Sequence, residues 1–223
     1  MDGADQYARL AAERDEYFTN RGYTRICNPG EQAAKALREE YRRLLDGATS
    51  EQEMQRFLTD PAHQCLIVDI NPGLGCRWIK PHPSLGGRYE PDFITVRLDS
   101  GGLKWTLIEL QHPQADLYLK TGTLPREFSA QLREGTHQIS QWRKWITDRG
   151  VVAMAGEGFP LLDPHFLGVV VIGRAVAKMA DQPPNGEGGL ATLTNEGIWV
   201  KSYDSLGRGA GMTECGIDEH LVS

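Results

Sequence analysis

Two acids, Asp92 and Glu109, stand at the open ends of what reads as a β-hairpin. Its arms are residues 89–98 and 103–111, both rich in β-branched, aromatic and aliphatic side chains. Asp99-Ser100-Gly101-Gly102 forms the turn cluster between them. With the turn centred between Ser100 and Gly101, cross-strand partners sum to 201. Leu98 then faces Leu103, Val96 faces Trp105 and Ile94 faces Leu107, so every pair on that face is apolar. The next pair is Asp92 with Glu109, and beyond it Glu90 with Gln111. A slip of one residue would put these partners on opposite faces. Directly opposed side chains sit roughly 4.5–5.5 Å apart at Cβ. Two carboxylates at that separation repel unless a cation lies between them. Mg²⁺ does this well, because it takes one or two carboxylates and completes its shell with water and phosphate. The plainer alternative is that both acids end their strands and point into water.

Other elements must hold these acids in place. Thr49-Ser50 before Glu51-Gln52-Glu53 reads as a helix cap, and the helix runs on to Asp60-Pro61. Met54, Phe57 and Leu58 define its buried side. At 100° per residue, Glu51 lies about 65° from the centre of that side and Glu53 about 95° away on the other flank. Glu51 is the better candidate to point inward, although both acids also suit a helix N-terminus. A second helix is expected over residues 126–147. Phe128, Leu132, Gly135, Ile139, Trp142 and Ile146 make one apolar face, and Gly135 permits close approach to a sheet. Gln131 and Gln138 share one flank of that face, where an amide is ordinarily a satisfied polar group.

The remaining chain supplies scaffold. Residues 4–18 and 31–45 read as helices, with Arg38, Arg42 and Arg43 off the apolar stripe of the second. Residues 65–70 read as a short apolar strand. Residues 71–87, with three prolines and several glycines, read as a loop carrying Trp78, Lys80 and His82. His112 falls on the face opposite Glu109 and Gln111 and reads as structural. Residues 114–125 form a connection with Lys120-Thr121-Gly122 at its tip. Residues 166–174 read as a strand buried on both faces, and 197–203 as a last strand. The loop 181–189 lacks the Gly-Lys-Ser/Thr that a phosphate loop requires. The expected architecture is α/β in the α+β sense: a mixed central sheet flanked by helices. It is divided into an N-terminal helical extension (1–48), a main domain (49–207) and a flexible tail (208–223).

Composition narrows the possibilities. At 223 residues and 40% apolar content, the chain suits one large domain with a sizeable core. No apolar run approaches the roughly 20 residues that span a bilayer, and the acidic, polar N-terminus does not look like a signal peptide. No membrane association is expected. Cys27, Cys65, Cys76 and Cys215 show no CxxC spacing, which argues against zinc and for reduced thiols in a cytoplasmic protein. The net charge of −6 does not announce a nucleic-acid binder. Affinity for DNA rests largely on phosphate neutralisation, so a local basic patch or several subunits would be needed.

Pro91-Asp92 followed by Glu109-Leu110-Gln111 resembles the motif of the PD-(D/E)XK nucleases, with Gln111 at the lysine position. Further pieces extend the resemblance. Glu51-x-Glu53-Met54-Gln55-x-Phe57-Leu58 with Pro61, Leu85-Gly86 before Pro91-Asp92-Phe93, and Phe128-Ser129 through Gln138-Ile139-x-x-Trp142 all belong to it. So do Val171-Ile172-Gly173-Arg174 and Ser202-Tyr203-Asp204-x-Leu206. Together these are similar to the nuclease domain of the Shedu anti-phage defence proteins, over about residues 50–207. The resemblance implies a restriction-endonuclease-like fold and a DNA endonuclease or nickase dependent on Mg²⁺ or Mn²⁺, acting as a homo-oligomer in antiviral defence. It implies that Glu51, Asp92 and Glu109 are metal ligands and that Gln138 is the helix glutamine near the metal. Asp92, Glu109, Gln111 and Gln138 would be the catalytic set. Gln111 cannot act as a general base; it can only orient water or phosphate. The alternative is a nucleic-acid-sensing or scaffold module that kept the fold and lost cleavage, with Gln111 marking the loss.

Overall fold

The structure is a computed structural model that describes residues 3–26, 31–70, 76–99, 101–119, 127–175 and 190–207. Six strands form one sheet in sequential order: β1 (Thr24–Arg25), β2 (Cys76–Pro81), β3 (Phe93–Asp99), β4 (Gly102–Leu110), β5 (Leu167–Val171) and β6 (Ile198–Lys201). The first four strands pair antiparallel, and β5 and β6 are added parallel to β4. The helices are α1 (Gly3–Thr19), α2 (Glu31–Gly47), α3 (Glu51–Thr59), α4 (Ala130–Arg149) and α5 (Val151–Gly156), with a further short helix at Leu190–Asn195. This is the mixed sheet flanked by helices that the sequence predicts. Among the described residues no helix is long and apolar enough to cross a membrane.

The β3–β4 register is the expected one, with Leu98 opposite Leu103, Val96 opposite Trp105 and Ile94 opposite Leu107. Alternation along these strands feeds two cores. Ile94, Val96, Trp105 and Leu107 join Phe18 of α1 and Leu132, Ile139 and Trp142 of α4. Phe93, Ile108 and Leu110 join Tyr41 and Leu45 of α2 and Met54 and Leu58 of α3. The N-terminal segment therefore contributes to both layers. β5 is buried on both faces: Val170 belongs to the first core, and Val169 and Val171 to the second.

Four expectations need correction. Residues 65–70 are not a strand. They lie in a 3₁₀ turn, Gln64–Ile70, whose Leu66 and Ile67 are wholly buried. A short apolar run suits a buried turn of helix as well as a strand, and periodicity cannot separate them. The expected loop 71–87 contains β2, which pairs with all of β3 from Leu98 to Phe93 and buries Trp78 and Ile79. Pro81 is its last position, beyond the pairing with β1, so β2 is an edge strand there. The long helix begins at Ala130 rather than at residue 126. Ser129 caps it by accepting from the Leu132 N–H at 3.2 Å, and Phe128 instead makes a bridge to Tyr118. The last strand is shorter than 197–203, because Tyr203–Ser205 turns into a 3₁₀ helix. Lys120-Thr121-Gly122, the loop 181–189, the tail 208–223, Cys27 and Cys215 lie outside the described residues. Cys65 is a buried free thiol.

Gly135 faces the sheet where α4 crosses β4 and β5. A Cβ there would stand 2.9 Å from Val170 Cγ1 and 3.3 Å from Gln111 Cγ. Gly135→Ala gains about 1 kcal/mol of helix propensity but overpacks this contact, at a cost of about 1–3 kcal/mol. The expected result is a net loss of about 1 kcal/mol in urea unfolding. A gain in stability would mean that α4 stands further from the sheet.

Candidate active site

The register carries Asp92 to the end of β3 beside Glu109, which lies near the end of β4. Asp92 sits one residue before the ladder and turns its carboxylate inward. Its Oδ2 accepts from the Leu110 N–H at 2.6 Å, and its Oδ1 accepts from the Gln55 side chain of α3. Asp92 and Glu109 are each only 7% exposed, and Gln111 5%. A buried polar or charged group is costly unless it finds partners. Here two acids and an amide share the cost at the sheet end, between α3 and α4.

α3 is fixed from both sides. Ser50 Oγ accepts from the Glu53 N–H, and Glu53 Oε2 accepts from the Thr49 N–H. Glu53 is thereby used up in the cap. His112, just past β4, donates from Nε2 to Thr49 O at 2.8 Å, while its Nδ1 accepts from the Gln114 N–H. That network sets its neutral tautomer and the structural role the sequence suggests. Glu51 and Gln55, four residues apart, then share the face of α3 turned to Asp92. Gln55 is a site residue that the sequence analysis placed only inside a longer pattern. The period of α3 was the available signal, since Gln55 lies one turn beyond Glu51.

Gln111 is held by its backbone. Its N–H donates to Val171 O of β5, and its carbonyl accepts from the Tyr203 hydroxyl at 2.8 Å. The Tyr203 carbonyl in turn accepts from the Tyr41 hydroxyl of α2. The next residue, Asp204, takes Arg174 in a forked pair, with Nε at 3.1 Å and Nη2 at 2.9 Å from Oδ1. Burial alone would raise the Asp204 carboxyl, but the Arg174 guanidinium and the Ala175 N–H outweigh it and hold it low. From α4, Gln138 lies beside Glu109 and counters part of the rise of its carboxyl, while the Gln138 amide oxygen is buried without a partner among the described residues. Gln131, one of the two amides on that flank, is exposed.

The electrostatics are strained. Burial, then the Asp92 and Glu51 carboxylates, push Glu109 up to about 9. Burial, with Asp92 and Glu134 adding to it, raises Glu51 to about 7. Asp92 is raised by burial, against the lowering pull of the Leu110 N–H and Gln55. The acids are neighbours but do not converge. Among the described residues no three His, Cys, Asp or Glu side chains lie close enough to hold one metal ion as they stand. The donor types nonetheless suit a hard divalent cation. Carboxylate oxygens of Asp92 and Glu109 and the orphaned amide oxygen of Gln138 are all hard donors, and one or two carboxylates with water suffice for Mg²⁺. Neither family models nor curated proteins match this chain.

The raised acids make a pH prediction for the protein in EDTA. An unfolded chain releases the Glu109 proton near pH 4.5, whereas the folded chain keeps it to about 9. Over that interval the unfolded state binds fewer protons, so stability falls as pH rises. Glu51 adds to the fall up to about 7. Melting temperature should therefore be higher at pH 5 than at pH 8, and Glu109→Gln should flatten the difference. A wild-type curve that is level or rises from pH 5 to pH 8 would mean that the acids are ionised in the fold.

Proposed function

We propose that this chain is a metal-dependent DNA phosphodiesterase, an endonuclease or nickase that uses Mg²⁺ or Mn²⁺. The observation that carries the reading is the pair of buried carboxylates, Asp92 and Glu109, at one end of adjoining strands, with α3 and α4 bringing Glu51, Gln55 and Gln138 to that same end. Such an arrangement is costly in the bare protein, and a divalent cation would offset the cost. A bound cation would supply Lewis-acid polarisation of a phosphoryl oxygen and acidify a water molecule. Asp92 and Glu109 would hold it, with Glu51 contributing directly or through water. Gln55 orients Asp92, and Gln138 orients Glu109. Gln111 offers a neutral amide to a phosphate oxygen or the attacking water. The resemblance to Shedu nuclease domains supports a role in antiviral defence and assembly as a homo-oligomer.

One observation favours the second reading, a nucleic-acid-sensing module without cleavage. Both oxygens of Asp92 are already engaged by Leu110 and Gln55, and the acids stand apart. Nicking of supercoiled plasmid with Mn²⁺ separates the readings. Wild type should nick, Glu109→Gln should lose activity, Gln111→Ala should fall, and Gln111→Lys should retain or exceed the wild-type rate. Equal background from all four proteins would leave only the sensing module.

Metal binding gives an independent check. Mn²⁺ at a hundredfold excess over Kd should stabilise wild type by about 2.7 kcal/mol. The rise in melting temperature should be absent in Glu109→Gln and present in Glu53→Gln, whose carboxylate only caps α3. Equal rises in wild type and Glu109→Gln would remove Glu109 from the metal site.

A further inference from the structure

The register that brings acids together at one end of the sheet lines up basic residues towards the other. Arg77 of β2 stands directly opposite Arg97 of β3, and Arg97 directly opposite Lys104 of β4. The β4–β5 ladder begins at Thr106 and Leu167, and His165 lies two residues before it, in the turn that leads into β5. Arg77, Arg97 and Lys104 thus form one row across three adjacent strands, each about 4.8 Å from the next. Lys104 is five residues from Glu109 along β4, about 17 Å at the rise of an extended strand. Even and odd positions alternate, so it also lies on the opposite face of the sheet. The row is therefore separate from the carboxylate site.

Like charges directly opposed across strands are destabilising, and Asp99 offsets part of this at 2.8 Å from Arg97. Lys104 is exposed and makes no ion pair among the described residues. The row borders a groove of about 470 Å³ whose polar lining is Arg97, Lys104, Thr106, His165 and one carboxylate, Asp163, with Trp199 among its apolar walls. That volume suits a small organic ligand. Trp199 is half-buried, and its ring already carries a cation, Lys201 Nζ, 5.1 Å from the centroid. A flat aromatic group can stack there. Beside the row, Thr95 stands opposite Thr106, and the Thr95 hydroxyl is buried with no partner among the described residues.

We infer that this groove binds a nucleoside phosphate, with its phosphate on Arg97, Lys104 and His165 and its base against Trp199. The ligand is either a free nucleotide or the phosphorylated end of a nucleic-acid strand. Both present the same chemistry. The site does not depend on the nuclease reading, because it uses neither the acids nor a metal.

Calorimetric titration in EDTA tests it, with ADP and a 5′-phosphorylated thymidine trinucleotide as probes. Wild type should bind at least one of them. Binding of ADP alone identifies a free nucleotide, and binding of the trinucleotide alone identifies a strand end. Lys104→Glu should weaken binding at least about tenfold, by removing one charge and adding the opposite one. It should also leave the melting temperature equal or higher, since a carboxylate would then face Arg97. Trp199→Leu should weaken binding several-fold; should that variant fold poorly, the exposed Lys104 position still decides. No binding of either probe to wild type, or equal affinity in Lys104→Glu, would overturn the inference. EDTA silences metal-dependent cleavage, so this outcome is read separately from plasmid nicking.

Discussion

The pairing of β3 with β4 is the constraint on which the rest of the molecule depends. Phe93 opposite Ile108 leaves Asp92 no position except beside Glu109 and Leu110. The same pairing sorts alternate side chains into two cores, one under α1 and α4 and the other under α2 and α3. Two layers of helix then close over the sheet end from opposite sides and dry it. The raised Glu109 and Glu51 carboxyls follow from this geometry, since each further packed element removes water that would have solvated their charge.

Support for the site comes from far along the chain. Tyr203 follows β6 directly, yet it holds the Gln111 carbonyl and is itself held by Tyr41 of α2. Arg174 after β5 bridges Asp204 and Asp46. The motif-like stretches that contribute no group to the chemistry, Gly173-Arg174 and Tyr203-Asp204, are therefore joints that tie the last strands and α2 to the end of β4. Gly173 can serve as such a joint because its φ of +61° and the Ala115 carbonyl, 2.3 Å from where a Cβ would stand, both exclude a side chain.

Much of this was legible in the sequence where a period and an apolar pattern agreed. The hairpin register, the Gly135 contact of α4 and the doubly buried β5 all carried such a pattern. The inward Glu51 followed from the turn of α3. β2 was hidden because its six residues sit in a stretch whose glycines and prolines advertise a loop, while its Trp78 and Ile79 are buried only through pairing with β3. Residues 65–70 failed for the opposite reason: an apolar run without a period has no preferred shape. The hold of Gln55 on Asp92 is a tertiary contact between residues 37 positions apart, and no local pattern announces it.

The sequential strand order also governs how the site is assembled. The β2–β4 meander closes through neighbouring segments, and β3 and β4 join across a tight turn. β5 must reach β4 across about 60 residues, from Thr106 to Leu167, at a larger entropic cost of loop closure. Asp92 and Glu109 therefore meet on a hairpin still open to water, where their repulsion is weak. α4 lies within the crossover to β5, so the wall that desolvates them comes with the long-range contacts. By loop-closure entropy alone, the charge conflict falls late in assembly, after the hairpin and not within it, so local pairing and global burial do not compete in the same step.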